Sequence, residues 1–300
     1  MATIPFSGAV PLSAAVPFDA SHLTLNTKWT LNSGYDVPVL GYGTYLTPAN
    51  MAAEAVSQAI GFGFRLIDCA AYYANEAEVV EGMKRSGIPR DELFFTSKAP
   101  PPNNYNLTRS ALDRTLEATG LSYLDLYLIH TPAGTREDRI GSWKALVEAV
   151  EQHKVRSIGV SNFELKHLEE LEAWMKETEA KEGKAKAGIL SVLQVELHPW
   201  VNMTDVVNWG FKRGIQLQGW SPLVRAERFN ETVLQELGRK HNKSPAQILL
   251  RWSLQQGYTP LPKAVQPRHM AENVDIFDFQ LDSEDMARLV TGVHAPYSGN

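Results

Sequence analysis

Four side chains that can hold or exchange protons follow apolar runs of this sequence. Asp68, Lys98 and His130 each end a run of apolar residues, and Tyr73 comes shortly after Asp68. Each run has the length and composition of a short buried strand. If the strands are parallel and close into a barrel, their carboxyl ends meet on one face. The pattern therefore predicts that the four side chains share one site.

These residue types suit the protonation of an oxygen that gains negative charge, as in the reduction of a carbonyl. Free tyrosine is a poor acid, with a pKa near ~10. We expect the Lys98 ammonium to lower the pKa of Tyr73, and Asp68 to hold that ammonium in place. His130 is expected to orient the substrate oxygen. Each residue alone could be an exposed tyrosine, a surface lysine or part of a structural ion pair, so the prediction depends on their joint placement.

Strand and helix patterns alternate through eight units between Gly41 and a final predicted helix after Pro267. Unbroken alternation of this length predicts an α/β fold of the (β/α)₈ TIM-barrel class. A G-x-G-x-x-G fingerprint is missing, because the segment 61–64 lacks the third glycine. Residues 24–40 alternate in polarity around a turn at 32–34, which predicts an N-terminal β-hairpin. The predicted helices cover 51–61, 75–85, 107–119, 143–152, 164–176, 204–212, 231–241 and 245–255.

Composition limits the class of protein. The chain has 300 residues, 44% of them hydrophobic, which is enough for one large core. Its net charge of −5 argues against nucleic acid as a partner. A single cysteine, Cys69, cannot build a disulfide framework or a zinc cage, so we expect a reducing, cytoplasmic setting. Cys69 itself is better explained as a small buried residue than as a nucleophile.

The first 23 residues differ from the rest. Pro5, Pro11 and Pro17 argue against a helix there, and the segment lacks the basic region of a signal peptide. We predict a loosely ordered extension over 1–23 and one barrel domain over 24–300. The chain has no run of about 20 apolar residues that would suggest a membrane span.

Several motifs together resemble those of the aldo-keto reductase family. Residues 68–79, Asp-Cys-Ala-Ala-Tyr-Tyr-Ala-Asn-Glu-Ala-Glu-Val, resemble its D-x-A-x-x-Y-x-N-E-x-E-V signature, and Lys98 resembles its catalytic lysine. Residues 125–132 are similar to its D-L-Y-L-I-H-W-P segment. Further blocks follow in the same order at 158–163, 194–199, 219–223 and 262–273. The resemblance extends from about Thr24 to about Leu281.

The resemblance implies a (β/α)₈ barrel that binds a nicotinamide cofactor and reduces an aldehyde or ketone. It implies that Tyr73 donates the proton and that Lys98 and Asp68 tune the acidity of Tyr73. It also implies that His130 orients the substrate. The residues implied to contact substrate are Tyr45, Tyr73, His130 and Thr131. The residues implied to hold the cofactor are Gly43, Thr44, Asp68, Ser161, Asn162, Gln194, Trp220, Ser221, Pro222, Leu223, Lys263, Ala264, Val265, Arg268, His269, Glu272 and Asn273.

The cofactor segment departs from the family pattern. Lys263 is present, but Ala264 stands where Ser or Thr is usual and His269 where arginine is usual. Arg268 lies one residue earlier and can pair with a phosphate. The resemblance thus implies NADPH, with NADH as a weaker alternative. Trp220 stands where Tyr or Phe is usual; its flat face still suits stacking, although a core-filling role is the other interpretation.

Two substrate positions also depart, since Tyr45 and Thr131 stand where Trp is common. A larger or more polar pocket is expected, and the loop 224–230 and the tail 292–300 are expected to complete it. The expected partner is a small carbonyl compound, without nucleic acid, membrane or metal, for a monomer or weak dimer. One alternative is a redox-sensing module that binds NADPH with little turnover, as the potassium-channel β subunits do in a related branch. A metal-dependent hydrolase or phosphosugar isomerase is disfavoured by the scattered histidines.

Overall fold

The computed structural model describes residues 3–5, 20–201 and 203–296. Within these residues, two sheets are built from eleven strands in chain order. The strands are β1 (Thr3–Pro5), β2 (Lys28–Thr30), β3 (Asp36–Pro38), β4 (Gly41–Gly43), β5 (Leu66–Asp68), β6 (Phe94–Ala99), β7 (Leu124–Ile129), β8 (Val155–Ser161), β9 (Leu190–Glu196), β10 (Gln216–Trp220) and β11 (Thr259–Pro260).

Strands β4 to β11 form one parallel sheet in sequential order. The two edges meet where the backbone N–H of Gly43 donates to the carbonyl of Pro262 at 2.9 Å, so the sheet is a nearly closed barrel. Strands β6, β7 and β9 are buried along their whole length. This burial follows from helices that cover the outer face of a parallel barrel. The predicted (β/α)₈ fold is confirmed.

The helices surround this sheet. They are α1 (Ala49–Gly61), α2 (Glu76–Arg85), α3 (Tyr105–Thr119), α4 (Arg136–Glu151), α5 (Leu165–Glu182), α6 (Lys184–Ala187), α7 (Thr204–Phe211), α8 (Thr232–His241), α9 (Pro245–Gln255), α10 (Pro267–Val274) and α11 (Ser283–Arg288). Helix α4 begins well before the predicted start near 143, because Thr135 and Asp138 form a capping box there. Helix α5 continues beyond its predicted end, and α11 was not predicted.

The N-terminal hairpin is also confirmed. Strands β2 and β3 pair antiparallel. At their turn, Asn32 donates to the carbonyl of Leu190 at 2.9 Å, and the hydroxyl of Ser33 contacts that of Ser157 at 2.8 Å. These bonds attach the hairpin to the amino-terminal ends of β8 and β9. It therefore closes the end of the barrel opposite the strand carboxyl ends.

Most of the extension predicted over 1–23 lies outside the described residues. Residues Thr3–Pro5 form β1, which pairs in parallel with β2. Ala20 and Leu23 are buried, and Arg251 donates a 3.0 Å bond to the carbonyl of Ala20. The chain is thus packed against the barrel from residue 20 onward.

Candidate active site

Lys98 occupies the centre of the candidate site. Lys98 is the next-to-last residue of β6, and its side chain is fully buried. The ammonium nitrogen donates to Asp68 Oδ1 at 2.7 Å, to the carbonyl of Cys69 at 2.8 Å and to Tyr73 Oη at 3.4 Å. Burial acts to lower the pKa of Lys98, but the charges of Asp68 and Tyr73 outweigh it, so its pKa is raised. An ammonium ion therefore stands next to the tyrosine oxygen.

Asp68 links Lys98 to the opposite side of the barrel. Its Oδ2 accepts a 2.8 Å hydrogen bond from Gln194 Nε2. Its backbone carbonyl accepts from the Thr44 hydroxyl at 2.9 Å and the Thr44 N–H at 3.0 Å. Both carboxylate oxygens are thus held, which fixes the partner of the Lys98 ammonium.

Tyr73 is presented by a short 3₁₀ turn, residues Ala71–Tyr73, that follows β5. The next residues are secured by Asn75, a buried amide that donates to the carbonyls of Thr44 and Thr47 at 3.1 and 2.9 Å. Burial raises the pKa of Tyr73 to about 12, and the Lys98 ammonium only partly offsets that effect. The expected lowering by Lys98 is present, but the net shift is upward because desolvation disfavours the phenolate.

His130 lies directly after β7 and beside Tyr73, with 5.8 Å between the ring centroids. Burial, with a smaller contribution from the charge of Lys98, lowers its pKa to about 3. The imidazole is therefore neutral at physiological pH, with one nitrogen as donor and one as acceptor. A neutral histidine can donate a hydrogen bond to a carbonyl oxygen without giving up a proton.

Three of the predicted cofactor residues, Ser161, Asn162 and Gln194, lie on or directly after the neighbouring strands β8 and β9. Ser161 and Gln194 are register partners at the ends of β8 and β9. Asn162 donates to the carbonyl of His130 at 2.9 Å and to Ser161 Oγ at 3.2 Å, and its oxygen accepts from Trp220 Nε1 at 2.9 Å. The Asn162 amide thus fixes the Trp220 indole and leaves the Ser161 hydroxyl proton for another acceptor.

One cleft of about 820 Å³ connects these groups. The predicted residues that line it are Gly43, Tyr45, Asp68, Tyr73, His130, Thr131, Ser161, Asn162, Gln194, Trp220, Ser221, Pro222, Leu223, Lys263, His269, Glu272 and Asn273. The remaining predicted residues, Thr44, Lys98, Ala264, Val265 and Arg268, do not line it. Lys98 lies behind Tyr73, and Thr44 supports Asp68 through the backbone.

The segment after β11 forms one rim of the cleft. Tyr42 Oη donates to the carbonyl of Ala264, which fixes the backbone next to Lys263. Lys263 is exposed, and partial burial lowers its pKa. Arg268 is exposed on α10 and donates from Nε to His269 Nε2 at 3.2 Å. Two cationic side chains therefore lie at or beside the cleft without a carboxylate partner among the contacts of the described residues.

Sequence reasoning missed several lining residues. Glu196 follows Gln194 by one strand period, so alternation along β9 was a usable signal for it. Tyr72 and Leu46 lie on loops, where no periodicity predicts which way a side chain faces. The lining residues not predicted are Leu46, Tyr72, Glu196, Ala246, Leu261 and Pro262. Arg225, Ala226 and Phe229 belong to the loop 224–230 that was expected to complete the pocket, whereas the described tail residues 292–296 do not line it.

Possible metal ligands do not cluster in the described parts of the chain. No group of three or more His, Cys, Asp or Glu residues there is arranged to hold a metal ion. Across the same residues, every helix is too short or too polar to cross a bilayer.

Comparison with known proteins identifies the family of this chain. The profile of the Aldo/keto reductase family matches residues 39–291. Glyoxal reductase of Bacillus subtilis is 41% identical over 261 residues, which cover 86% of this chain and 90% of that protein. Methylglyoxal reductase DkgA of Yersinia pestis is 36% identical over 267 residues, covering 88% and 92%.

A solved structure of an aldo-keto reductase has the same fold as this chain. The aldo-keto reductase MGS-M4, from a Medee basin deep-sea metagenome library, superposes with a TM-score of 0.82 at 33% identity. The match covers 90% of this chain and 97% of that one. The barrel, the cleft and the sequence similarity lead to one conclusion: this chain belongs to the aldo/keto reductase family and is an oxidoreductase acting on carbonyl compounds.

Proposed function

We propose that the protein reduces an aldehyde or ketone to an alcohol, with NADPH as cofactor and Tyr73 as proton donor. The observation that carries the proposal is the buried ammonium of Lys98, 2.7 Å from Asp68 and 3.4 Å from the Tyr73 hydroxyl. An ammonium in this position stabilises the phenolate that remains after the proton leaves. The pair therefore makes a buried tyrosine usable as an acid.

The chain's own residues divide the work. Tyr73 gives its proton to the carbonyl oxygen, and Lys98 stabilises the resulting phenolate. Asp68 keeps the ammonium in place, and neutral His130 donates a hydrogen bond that orients the same oxygen. NADPH, when bound, supplies the hydride that the carbonyl carbon receives.

The residues at the ends of β8 and β9 fit a carboxamide. A carboxamide has one acceptor oxygen and one donor NH₂ group. The Ser161 hydroxyl proton can meet the oxygen, because Ser161 Oγ already accepts from Asn162. Gln194 donates twice through Nε2 to protein oxygens, so its own oxygen remains to accept from the NH₂ group. The indole of Trp220 offers a fixed apolar face for a ring.

The cationic rim supports NADPH over NADH. Lys263 and Arg268 are exposed at or beside the rim of the cleft that follows β11. An arginine can bind a phosphate through two parallel hydrogen bonds. The small side chain of Ala264 adds no hydroxyl to this group. We expect a preference for NADPH that depends mainly on Lys263 and Arg268.

Oxidation of NADPH and NADH with methylglyoxal tests the proposal. We expect kcat/KM to be about tenfold or more higher with NADPH, and Arg268→Ala to reduce that ratio by about threefold to tenfold. Arg288→Ala, which removes an exposed arginine paired with Glu236, is the matched control and should leave the ratio unchanged. Equal kcat/KM with both cofactors would overturn the NADPH assignment. NADPH binding without turnover of any carbonyl would favour a binding module.

The entrance of the cleft beside Tyr73 and His130 includes several aromatic and apolar side chains. The Tyr45 ring packs against that of Tyr73 in a tilted arrangement with 5.0 Å between the centroids, and the rings of Tyr72 and His130 meet edge to face with 6.3 Å between theirs. The exposed fractions of Tyr72, Leu46 and Tyr45 are 68%, 63% and 43%, which leaves their apolar faces open to a bound molecule. An uncharged substrate with an apolar or aromatic group on the carbonyl fits this entrance better than a carboxylate.

Three substrates with one reactive aldehyde test this selectivity: phenylglyoxal, methylglyoxal and glyoxylate. We expect kcat/KM to fall in that order, and Tyr72→Ala to lower it about fivefold to tenfold for phenylglyoxal but less than about twofold for methylglyoxal. Tyr35 is as exposed as Tyr45 but lies on the hairpin at the other end of the barrel, so Tyr35→Ala is the control. Equal losses for both substrates in Tyr72→Ala would contradict a contact between Tyr72 and the substrate.

A further inference from the structure

We propose that Gln218 is a positioning residue that fixes the orientation of the Gln194 amide, and thereby makes the site select a cofactor bearing a carboxamide NH₂ group. The proposal rests on the proposed cofactor role of Gln194. Gln218 lies on β10, next to Gln194 in the register of the barrel. Its Oε1 accepts a 3.0 Å hydrogen bond from Gln194 Nε2. Gln218 does not line the cleft.

Asp68 is the first of the two acceptors that hold the Gln194 amide. Asp68 presents two carboxylate oxygens, and Oδ1 accepts a hydrogen bond from the Lys98 ammonium at 2.7 Å. Oδ2 accepts a 2.8 Å hydrogen bond from Gln194 Nε2, so one proton of that NH₂ group faces Asp68. The opposite rotamer would place two acceptors face to face. The Asp68 carboxylate therefore fixes one of the two protons of the Gln194 NH₂ group.

Gln218 is the second acceptor for the Gln194 amide. The second proton of Gln194 Nε2 needs an acceptor, and Gln218 supplies its carbonyl oxygen. This choice leaves Gln218 Nε2 buried without a hydrogen-bond partner among the described residues. An unpaired buried N–H group is costly and calls for an explanation. Holding Gln194 in one orientation is such an explanation.

The consequence lies at the cleft. With both Gln194 protons directed into the barrel, Oε1 is the atom that Gln194 can offer to a bound molecule. The neighbouring Ser161 hydroxyl offers a proton, as shown by the bond it accepts from Asn162. A donor and an acceptor side by side match a carboxamide in one orientation only. A ring substituent without the NH₂ group leaves the Gln194 oxygen unpaired.

The 3-acetylpyridine analogue of NADP⁺ replaces that NH₂ group by a methyl group. We expect the wild-type protein to bind NADP⁺ at least about tenfold more tightly than this analogue, measured as Kd by tryptophan fluorescence quenching. Gln218→Met keeps the length of the side chain but removes one of the two acceptors that hold the Gln194 NH₂ group. The amide can then tilt and offer its second proton to a bound molecule. We expect the ratio of the two Kd values to fall below about threefold.

Two controls separate positioning from general damage. Gln216 is a buried glutamine on the same strand that bonds to Gly257 and Thr259 instead, so Gln216→Met should keep the wild-type ratio. Gln218→Glu keeps an acceptor oxygen at this position, so it should also keep the wild-type ratio of the two Kd values. A wild-type ratio near one, or an unchanged ratio in Gln218→Met, would overturn the proposal. If the wild-type protein bound neither dinucleotide, the proposed function itself would fail.

Discussion

Replacing Tyr73 with phenylalanine is expected to lower kcat for carbonyl reduction by about 10²- to 10⁴-fold, with NADPH affinity changed by less than about threefold. The phenol is the proton donor in the proposed mechanism, whereas the ring that packs beside Tyr45 and His130 is kept. Kd for NADPH by fluorescence and single-turnover rates with methylglyoxal measure the two effects separately.

Tyr72→Phe is the matched control for this change. Tyr72 is the adjacent residue of the same turn, lines the same cleft and is 68% exposed, but has no contact with Lys98 in the structure. We expect its kcat to stay within about twofold of wild type. If Tyr73→Phe retained wild-type kcat, the assignment of the proton donor would be wrong.

The pKa values also predict the pH dependence of the reduction. Tyr73, with a pKa raised to about 12, stays protonated at ordinary assay pH, and His130, with a pKa lowered to about 3, stays neutral. A donor with a high pKa loses its proton only at very alkaline pH. We therefore expect kcat/KM to show no break from either group between about pH 5 and 9. A break near the ordinary pKa of histidine that disappears in His130→Gln would contradict this environment.

Replacing Lys98 with methionine is expected to affect both activity and stability. Loss of the ammonium should lower kcat by at least about 10²-fold. The change also leaves the Asp68 carboxylate buried without its partner, and breaking a buried pair typically costs about 3 to 5 kcal/mol in the free energy of unfolding. Urea denaturation and kcat of the same preparations measure the two losses.

Two variants show whether the loss of stability comes from the unpaired charge. Lys154 pairs with Asp113 at the same 2.7 Å, but both side chains are partly exposed, so Lys154→Met should cost less than about 1 kcal/mol. The double variant Asp68→Asn with Lys98→Met removes both charges and should regain part of the stability but none of the activity. Equal destabilisation by Lys98→Met and Lys154→Met would refute the argument from burial.

Some features of the site were predictable because they follow from strand periodicity and topology. The carboxyl ends of parallel strands converge, so Asp68, Lys98 and His130 could be placed together from three apolar runs. The start of α4 was also readable, since Thr135 and Asp138 have the spacing of a capping box, although the prediction began the helix later. Loop residues such as Leu46 and Tyr72 could not be placed, because the direction of their side chains depends on the turns that carry them.

The sequence by itself determined which chemistry this protein carries, since residue types at strand ends depend only on local pattern and barrel topology. The tertiary structure alone decided how those residues behave. Burial raises the pKa of Tyr73 despite the nearby ammonium, and it keeps His130 neutral. The pairing of Gln194 with Gln218 depends on the register between β9 and β10, which neither strand encodes alone. Desolvation and cross-strand hydrogen bonds depend on neighbours that are distant in the chain, so only the folded barrel determines them.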